Sequence, residues 1–314
     1  MKRYNFTNPL FLFKIESMMR HLYVLLFCAL FVACDDGDIL TVELDFDQQL
    51  KRCDNNVASY LLYDTRKDPN ESLTLLIPRN TDTEGFFINP TETSLGINGS
   101  TVRFNYRTYN INPDGLLCDD LSNPDLVIRE NYEADSGTVY ITSTVVDDDN
   151  DGIPSADEYG PGGLANPQDS DGDGIPDYLD EDDDNDNVKT RNEIIVSAGN
   201  DPPYIIIDTD GDGTPDYLDQ DDDGDGVDTI LEDANGINGP FDDTIINSEG
   251  LVVKRYLSTE ATDPFPNPGR ISNTFRRVVT TVFRIENVEL EILRSTQVDF
   301  GTFISTLDVT TSPE

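Results

Sequence analysis

The chain has no tryptophan, a single histidine (His21), and only 21 lysines and arginines against 62 aspartates and glutamates. Each scarcity excludes something. His21 sits in a stretch that reads as a leader, so an exported form has no histidine at all. That removes Ser-His-Asp and Cys-His chemistry, histidine general bases and the usual zinc sites. Without tryptophan, the commonest flat platform for sugars is missing. The formal net charge of −41 repels nucleic acid and anionic membrane surfaces and attracts cations. Glycine-rich phosphate loops, nucleophile elbows and Ser-x-x-Lys motifs are absent too. Paired carboxylates can cleave glycosides, but aspartate is so abundant that the sequence singles out no pair. The expectation is a protein that is not an enzyme and has no nucleic-acid partner.

Residues 1–33 read as a secretory leader. Lys2, Arg3, Lys14 and Arg20 precede an apolar run over 22–33, too short for a comfortable membrane span. Met18 or Met19 could serve as the start. The run ends Phe31-Val32-Ala33-Cys34, which resembles a bacterial lipobox, with Phe where Leu is commoner. Cys34 is therefore expected to carry lipid, anchoring the protein to a membrane without a span. Asp35, Asp36 and Asp38 follow it, resembling the acidic export tag of some Gram-negative surface lipoproteins; a short acidic tether is the plainer alternative. The expected location is the outer membrane or cell surface. Two cysteines then remain in the exported part, Cys53 and Cys118. In an oxidising compartment they are expected to pair, the alternative being two buried thiols.

The charge is concentrated. Residues 147–233 hold 30 acidic side chains against Lys189 and Arg191. Blocks of this kind are usually solvated tails, but this one repeats. Asp169, Asp171, Asp173, Gly174, Asp177 and Asp180 fill positions 1, 3, 5, 6, 9 and 12 of a twelve-residue window. Asp208, Asp210, Asp212, Gly213, Asp216 and Asp219 fill the same positions 39 residues later. A second kind of window follows each: Asp182, Asp184, Asp186 and Glu193, then Asp221, Asp223, Asp225 and Glu232, at positions 1, 3, 5 and 12. A fifth stands first, with Asp147, Asp149, Asp151, Gly152 and Glu158.

Calcium explains the spacing. It takes six to eight oxygens, and a tight loop turns alternate carboxylates inward. Position 6 needs a residue that tolerates a sharp turn. Position 7 offers a carbonyl, here from Ile153, Ile175, Val188, Thr214 or Val227, and the acid at 12 closes the cage. Magnesium demands a smaller octahedral site and holds its waters, and softer metals find no histidine or cysteine here. The expected cofactor is several Ca2+ ions, held for structure.

The segments 169–180 and 208–219, with their partners at 182–186 and 221–225, resemble thrombospondin type 3 repeats. That resemblance implies a chain wrapped around rows of calcium ions with little apolar core, as in extracellular adhesion proteins and bacterial envelope stalks. Three departures stand out: Asn187 replaces glycine at position 6, the block contains no cysteine, and residues 196–207 form a longer spacer. Asp233, Asn235, Asp242 and Asp243 resemble a further site whose spacing fails the template.

The flanks read as β. Leu40, Val42, Leu44 and Phe46 alternate with polar residues. So do Val102, Phe104 and Tyr106, then Val139, Ile141, Ser143 and Val145. In the C-terminal part Phe283 and Ile285 alternate, as do Val288, Leu290 and Ile292. The expected architecture is mainly β: sandwich-like flanks, 34–146 and 234–314, around an irregular calcium-wrapped array at 147–233. The second flank is small for a core of its own and is expected to complete the first. The expected role is adhesion, scaffolding or spacing at the envelope. The alternative is a calcium-dependent glycan-binding module or an accessory subunit of a surface uptake system, with a surface protein or glycan as partner.

Overall fold

A computed structural model describes residues 44, 46–119, 123–197, 199, 202–292 and 297–312. The leader, Cys34 and the acidic run after it lie outside the described residues. Among the described residues no helix is long and apolar enough to cross a membrane.

The protein is mainly β, built from two larger antiparallel sheets and two short hairpins. The first sheet contains β1 (Lys51–Cys53), β2 (Ser59–Arg66), β3 (Glu71–Pro78), β5 (Arg103–Tyr109) and β6 (Ile128–Glu133), in the order β1-β2-β3-β5-β6. The second contains β4 (Thr91–Gly96), β7 (Thr138–Thr144), β12 (Asn273–Glu286) and β13 (Gln297–Thr311), in the order β13-β12-β7-β4. The C-terminal strands thus share a sheet with strands that precede the acidic segment. Thr280–Glu286 of β12 pair with Thr144–Thr138 of β7.

Alternation places the core. Val139, Ile141 and Ser143 of β7 turn inward while their neighbours face out, and Phe283 and Ile285 do the same on β12. The two sheets meet through aromatic rings. Phe104 of β5 lies edge-on to Phe300 of β13 at 5.6 Å, and Phe87 meets Phe283 and Phe303 at 6.3 and 5.5 Å. Full burial of such a ring contributes up to about 3 kcal/mol. Cys53 and Cys118 are joined by a disulfide, with Cα atoms 5.3 Å apart.

One expected strand does not form, and most of another, the run 40–46, lies outside the described residues. Of the run 40–46, the described Leu44 and Phe46 lie in irregular chain. Val288 and Leu290 are buried, but they follow the end of β12, where Asn287 takes a left-handed φ of 52° that breaks the extended backbone. Ile292 sits in a turn.

The acidic segment leaves the second sheet after Thr144. It has little regular structure beyond single helical turns and the hairpin β8 (Ile194–Val196) with β9 (Tyr204–Ile206). This hairpin occupies most of the spacer between the window pairs. A further hairpin, β10 (Thr244–Ile246) with β11 (Val252–Lys254), precedes β12. β12 extends seven residues beyond its pairing with β7, still paired with β13, and there Arg277 reaches Asp148 of the acidic segment.

Candidate metal centre

All five acidic windows fold alike, and local hydrogen bonds explain why. The amide at position 9 donates to the carbonyl just before the window: Ser155 to Val146, Asp177 to Gln168, Thr190 to Glu181, Asp216 to Ile207 and Thr229 to Gln220, at 2.8–3.0 Å. Inside each loop the amide at position 5 donates to the carboxylate at position 3. The amide at position 7 donates to the carboxylate at position 5, as from Ile153 to Asp151 and Val188 to Asp186. These are Asx-type turns, in which one carboxylate oxygen caps the backbone and leaves the other free.

Position 6 has a left-handed backbone in every window: Gly152, Gly174, Asn187, Gly213 and Gly226, with φ between 73° and 112°. Asn187 adopts the turn that glycine adopts elsewhere. Position 4 is left-handed as well, at Asn150, Gly172, Asn185, Gly211 and Gly224. The sequence reading singled out position 6 and missed position 4, although only Asn and Gly occupy it.

The loops converge their free oxygens. Asp147, Asp149 and Asp151 offer three oxygens within 4.8 Å of one another, as do Asp169, Asp171 and Asp173, and Asp208, Asp210 and Asp212. A fourth group joins Asp184, Asp186, Glu193 and Asp222, all buried; a fifth joins Asp151, Glu158 and Asp183, also buried. Oδ2 of Asp149, Asp151, Asp184, Asp186, Asp223 and Asp225 is buried with no hydrogen-bond partner among the described residues. So are Oδ1 of Asp147, Asp182 and Asp221, and both carboxyl oxygens of Glu158, Glu193 and Glu232. Asp180 is buried at the join of the 169 and 182 windows, and Asp219 is half-buried at the equivalent join.

Asp177 and Asp216 turn elsewhere. Each binds the residue at position 2 of its own window through both oxygens: Asp177 accepts from the amide and hydroxyl of Ser170, and Asp216 from those of Thr209. They brace the loop. The 169 site also faces competing donors. Asn185 donates its amide to Asp173 at 3.1 Å and to Asp171, and Arg270 pairs with Asp171 at 3.0 Å. At the equivalent place in the second pair stands Gly224, whose absent Cβ leaves room for Asp210. The degenerate stretch is satisfied internally: Asn235 donates to Asp242 and Asp243 at 3.0 Å, and Asp233 and Asp243 cap backbone amides.

Burial and mutual repulsion raise the proton affinity of the gathered acids. Burial first, then Asp151 and Glu158, push Asp149 up to about 12. Burial and neighbouring aspartates push Glu158 to about 10 and Glu232 to about 8. Asp151, Asp180 and Asp182 rise to about 7, chiefly through burial. Asp183, Asp184, Asp186 and Glu193 lie well above the usual carboxylate range for the same causes. Two carboxylates about 4 Å apart repel by roughly 4 kcal/mol at an effective dielectric near 20. The donor set is oxygen alone, which fits a hard divalent cation.

Asp148, Asp183 and Asp222, at position 2 of their windows, were not among the expected site residues, nor were Arg255, Arg270 and Arg277. The signal for the aspartates was present as runs of three at 147–149, 182–184 and 221–223. The arginines come from the distant C-terminal part and left no local sign.

A family model described as BamM C-terminal matches residues 148–207, well under half of the chain. This corrects the thrombospondin type 3 resemblance, because the matching family is a different one. The resemblance rested on Asp-x-Asp-x-Asp-Gly spacing, which follows from how any tight loop turns alternate carboxylates inward and so does not mark one family. No curated protein and no solved structure matches the chain.

Proposed function

We propose that this chain is an accessory protein of the bacterial cell envelope whose acidic segment binds calcium. The observation that carries the reading is the cluster of Asp184, Asp186, Glu193 and Asp222. Their four carboxylates are buried, lie within 4.8 Å of one another, and have no lysine or arginine paired with them among the described residues. A divalent cation relieves that repulsion, and calcium suits an all-oxygen set of this charge and size. The match to a BamM C-terminal family suggests an outer-membrane-associated accessory role, and supports it better than adhesion. Cys34 carries the lipid in this reading, and calcium stiffens the segment that adjoins the two-sheet body.

Calorimetric titration of the chelator-treated full chain with calcium, followed also by circular dichroism, tests the cation. Several ions binding by millimolar calcium, with gain of order, is expected; no binding at that concentration overturns the reading. For the location, labelling with palmitate that disappears in Cys34→Ala and sedimentation with outer membranes are expected. An unlabelled chain that stays in the soluble fraction overturns that part.

A further inference from the structure

The windows are of two kinds, distinguished by an exchange between positions 2 and 9. The 169 and 208 windows hold Ser170 and Thr209 at position 2, and Asp177 and Asp216 at position 9. The 147, 182 and 221 windows hold Asp148, Asp183 and Asp222 at position 2, and Ser155, Thr190 and Thr229 at position 9. In this second kind the position-9 hydroxyl accepts the position-2 amide, at 2.8, 3.2 and 3.3 Å. The carboxylates of Asp183 and Asp222 are then free to leave their own loops, whereas Asp148 Oδ2 accepts from the Ser155 hydroxyl at 3.0 Å.

Where it goes follows a rule. Asp183 of the 182 window joins Asp151 and Glu158 of the 147 window, and Asp222 of the 221 window joins Asp184, Asp186 and Glu193 of the 182 window. Both oxygens of Asp183 and both of Asp222 are buried without a hydrogen-bond partner among the described residues, and the two residues are 2% and 1% exposed. The ends of the series behave differently. Asp148 has no earlier window of its kind to serve, and it pairs with Arg277 of β12. Glu232, in the last window, has no later aspartate to meet and instead faces the Arg255 guanidinium, Nε to Oε1 3.8 Å.

We infer that Asp183 and Asp222 are metal ligands donated between loops, each completing the cation site of the preceding window of its kind. The inference rests on the calcium reading above and adds the residues that read one site to the next. A cation at the 147 site holds the 182 loop through Asp183, and a cation at the 182 site holds the 221 loop through Asp222. The ions are thereby linked in series, and two arginines close the series at its ends.

Calcium titration calorimetry on the full chain, comparing Asp183→Asn and Asp222→Asn with Asp148→Asn, tests this. Removing one charged ligand from a carboxylate site weakens it about tenfold or more. The first two variants are each expected to lose one ion, or to bind it about tenfold more weakly, with loss of cooperativity. Asp148→Asn is expected to bind the full complement. If either Asn variant loses its fold, Asp183→Ser and Asp222→Thr replace it, since these residues already stand at position 2 of the other windows. A wild-type chain that binds calcium while both position-2 variants match it overturns this inference and leaves the calcium reading standing. A wild-type chain that binds none overturns both.

Discussion

The Arg277 guanidinium of β12 is paired with the carboxylate of Asp148, the second residue of the first acidic window. The side chains are 18% and 7% exposed, so the pair is largely out of water. Replacing Arg277 with Ala leaves a buried carboxylate without its counter-charge. The expected cost is about 3 kcal/mol in urea denaturation. Asp148→Asn in the same chain should recover part of it, and a double-mutant cycle measures the coupling.

Glu193 gives a prediction whose sign depends on calcium. Without the ion, burial and neighbouring acids make Glu193 costly to hold, whether charged or by taking up a proton; Glu193→Gln removes that cost and should raise the melting temperature. With calcium bound, the same change removes a ligand and should lower it. Thermal melts in chelator and in millimolar calcium should therefore move in opposite directions; shifts of one sign in both count against a ligand role.

Asn187 has two functions. Its backbone makes the left-handed turn at φ 73°, and its side chain joins the 182 window to the stretch before β12. Nδ2 donates to the Gly269 carbonyl at 3.1 Å, and Oδ1 accepts from the Ile271 amide at 3.0 Å. Asn187→Gly keeps the turn and loses both ties. It should destabilise by about 1–2 kcal/mol, whereas loop geometry alone would favour glycine. Chemical denaturation in saturating calcium measures this.

Asp64 controls a pH response outside the acidic segment. It is buried, it accepts from the amides of Gln48 and Thr65, and burial and then Asp47 push it up to about 6. The native state therefore holds this proton more tightly than the unfolded chain. The stabilisation is fully present below the unfolded carboxylate value near 4 and is lost as pH rises through about 6. Urea midpoints from pH 4 to 7 should fall less steeply in Asp64→Asn than in the wild type.

What was legible in the sequence depended on how local its cause is. Strands with one buried face showed as alternation, as at Val139 and Ile141 or Phe283 and Ile285. β2 and β3 were less legible, because continuous apolar runs, Tyr60-Leu61-Leu62-Tyr63 and Leu75-Leu76-Ile77, put apolar residues on both faces and break the period-2 contrast. Val288 and Leu290 mimicked a strand because burial alone produced their alternation. Within the acidic loops, positions 1, 3, 5 and 6 were legible because the turn itself dictates them. The destinations of Asp148, Asp183 and Asp222 were not, since they depend on which loop stacks on which and on arginines far along the chain.

Ser143 and Thr281 hydrogen-bond side chain to side chain at 3.2 Å although 138 residues separate them. The edge of β7 therefore waits, as the chain folds, for a partner that lies beyond the whole acidic segment. Closure entropy grows only with the logarithm of loop length, so the long detour adds little to the equilibrium cost. Its effect is on timing: such remote pairings form late and slowly. Completion of the second sheet is thus a checkpoint passed only by a chain that includes β12, and a truncated one would expose an unpaired β7 edge to its neighbours.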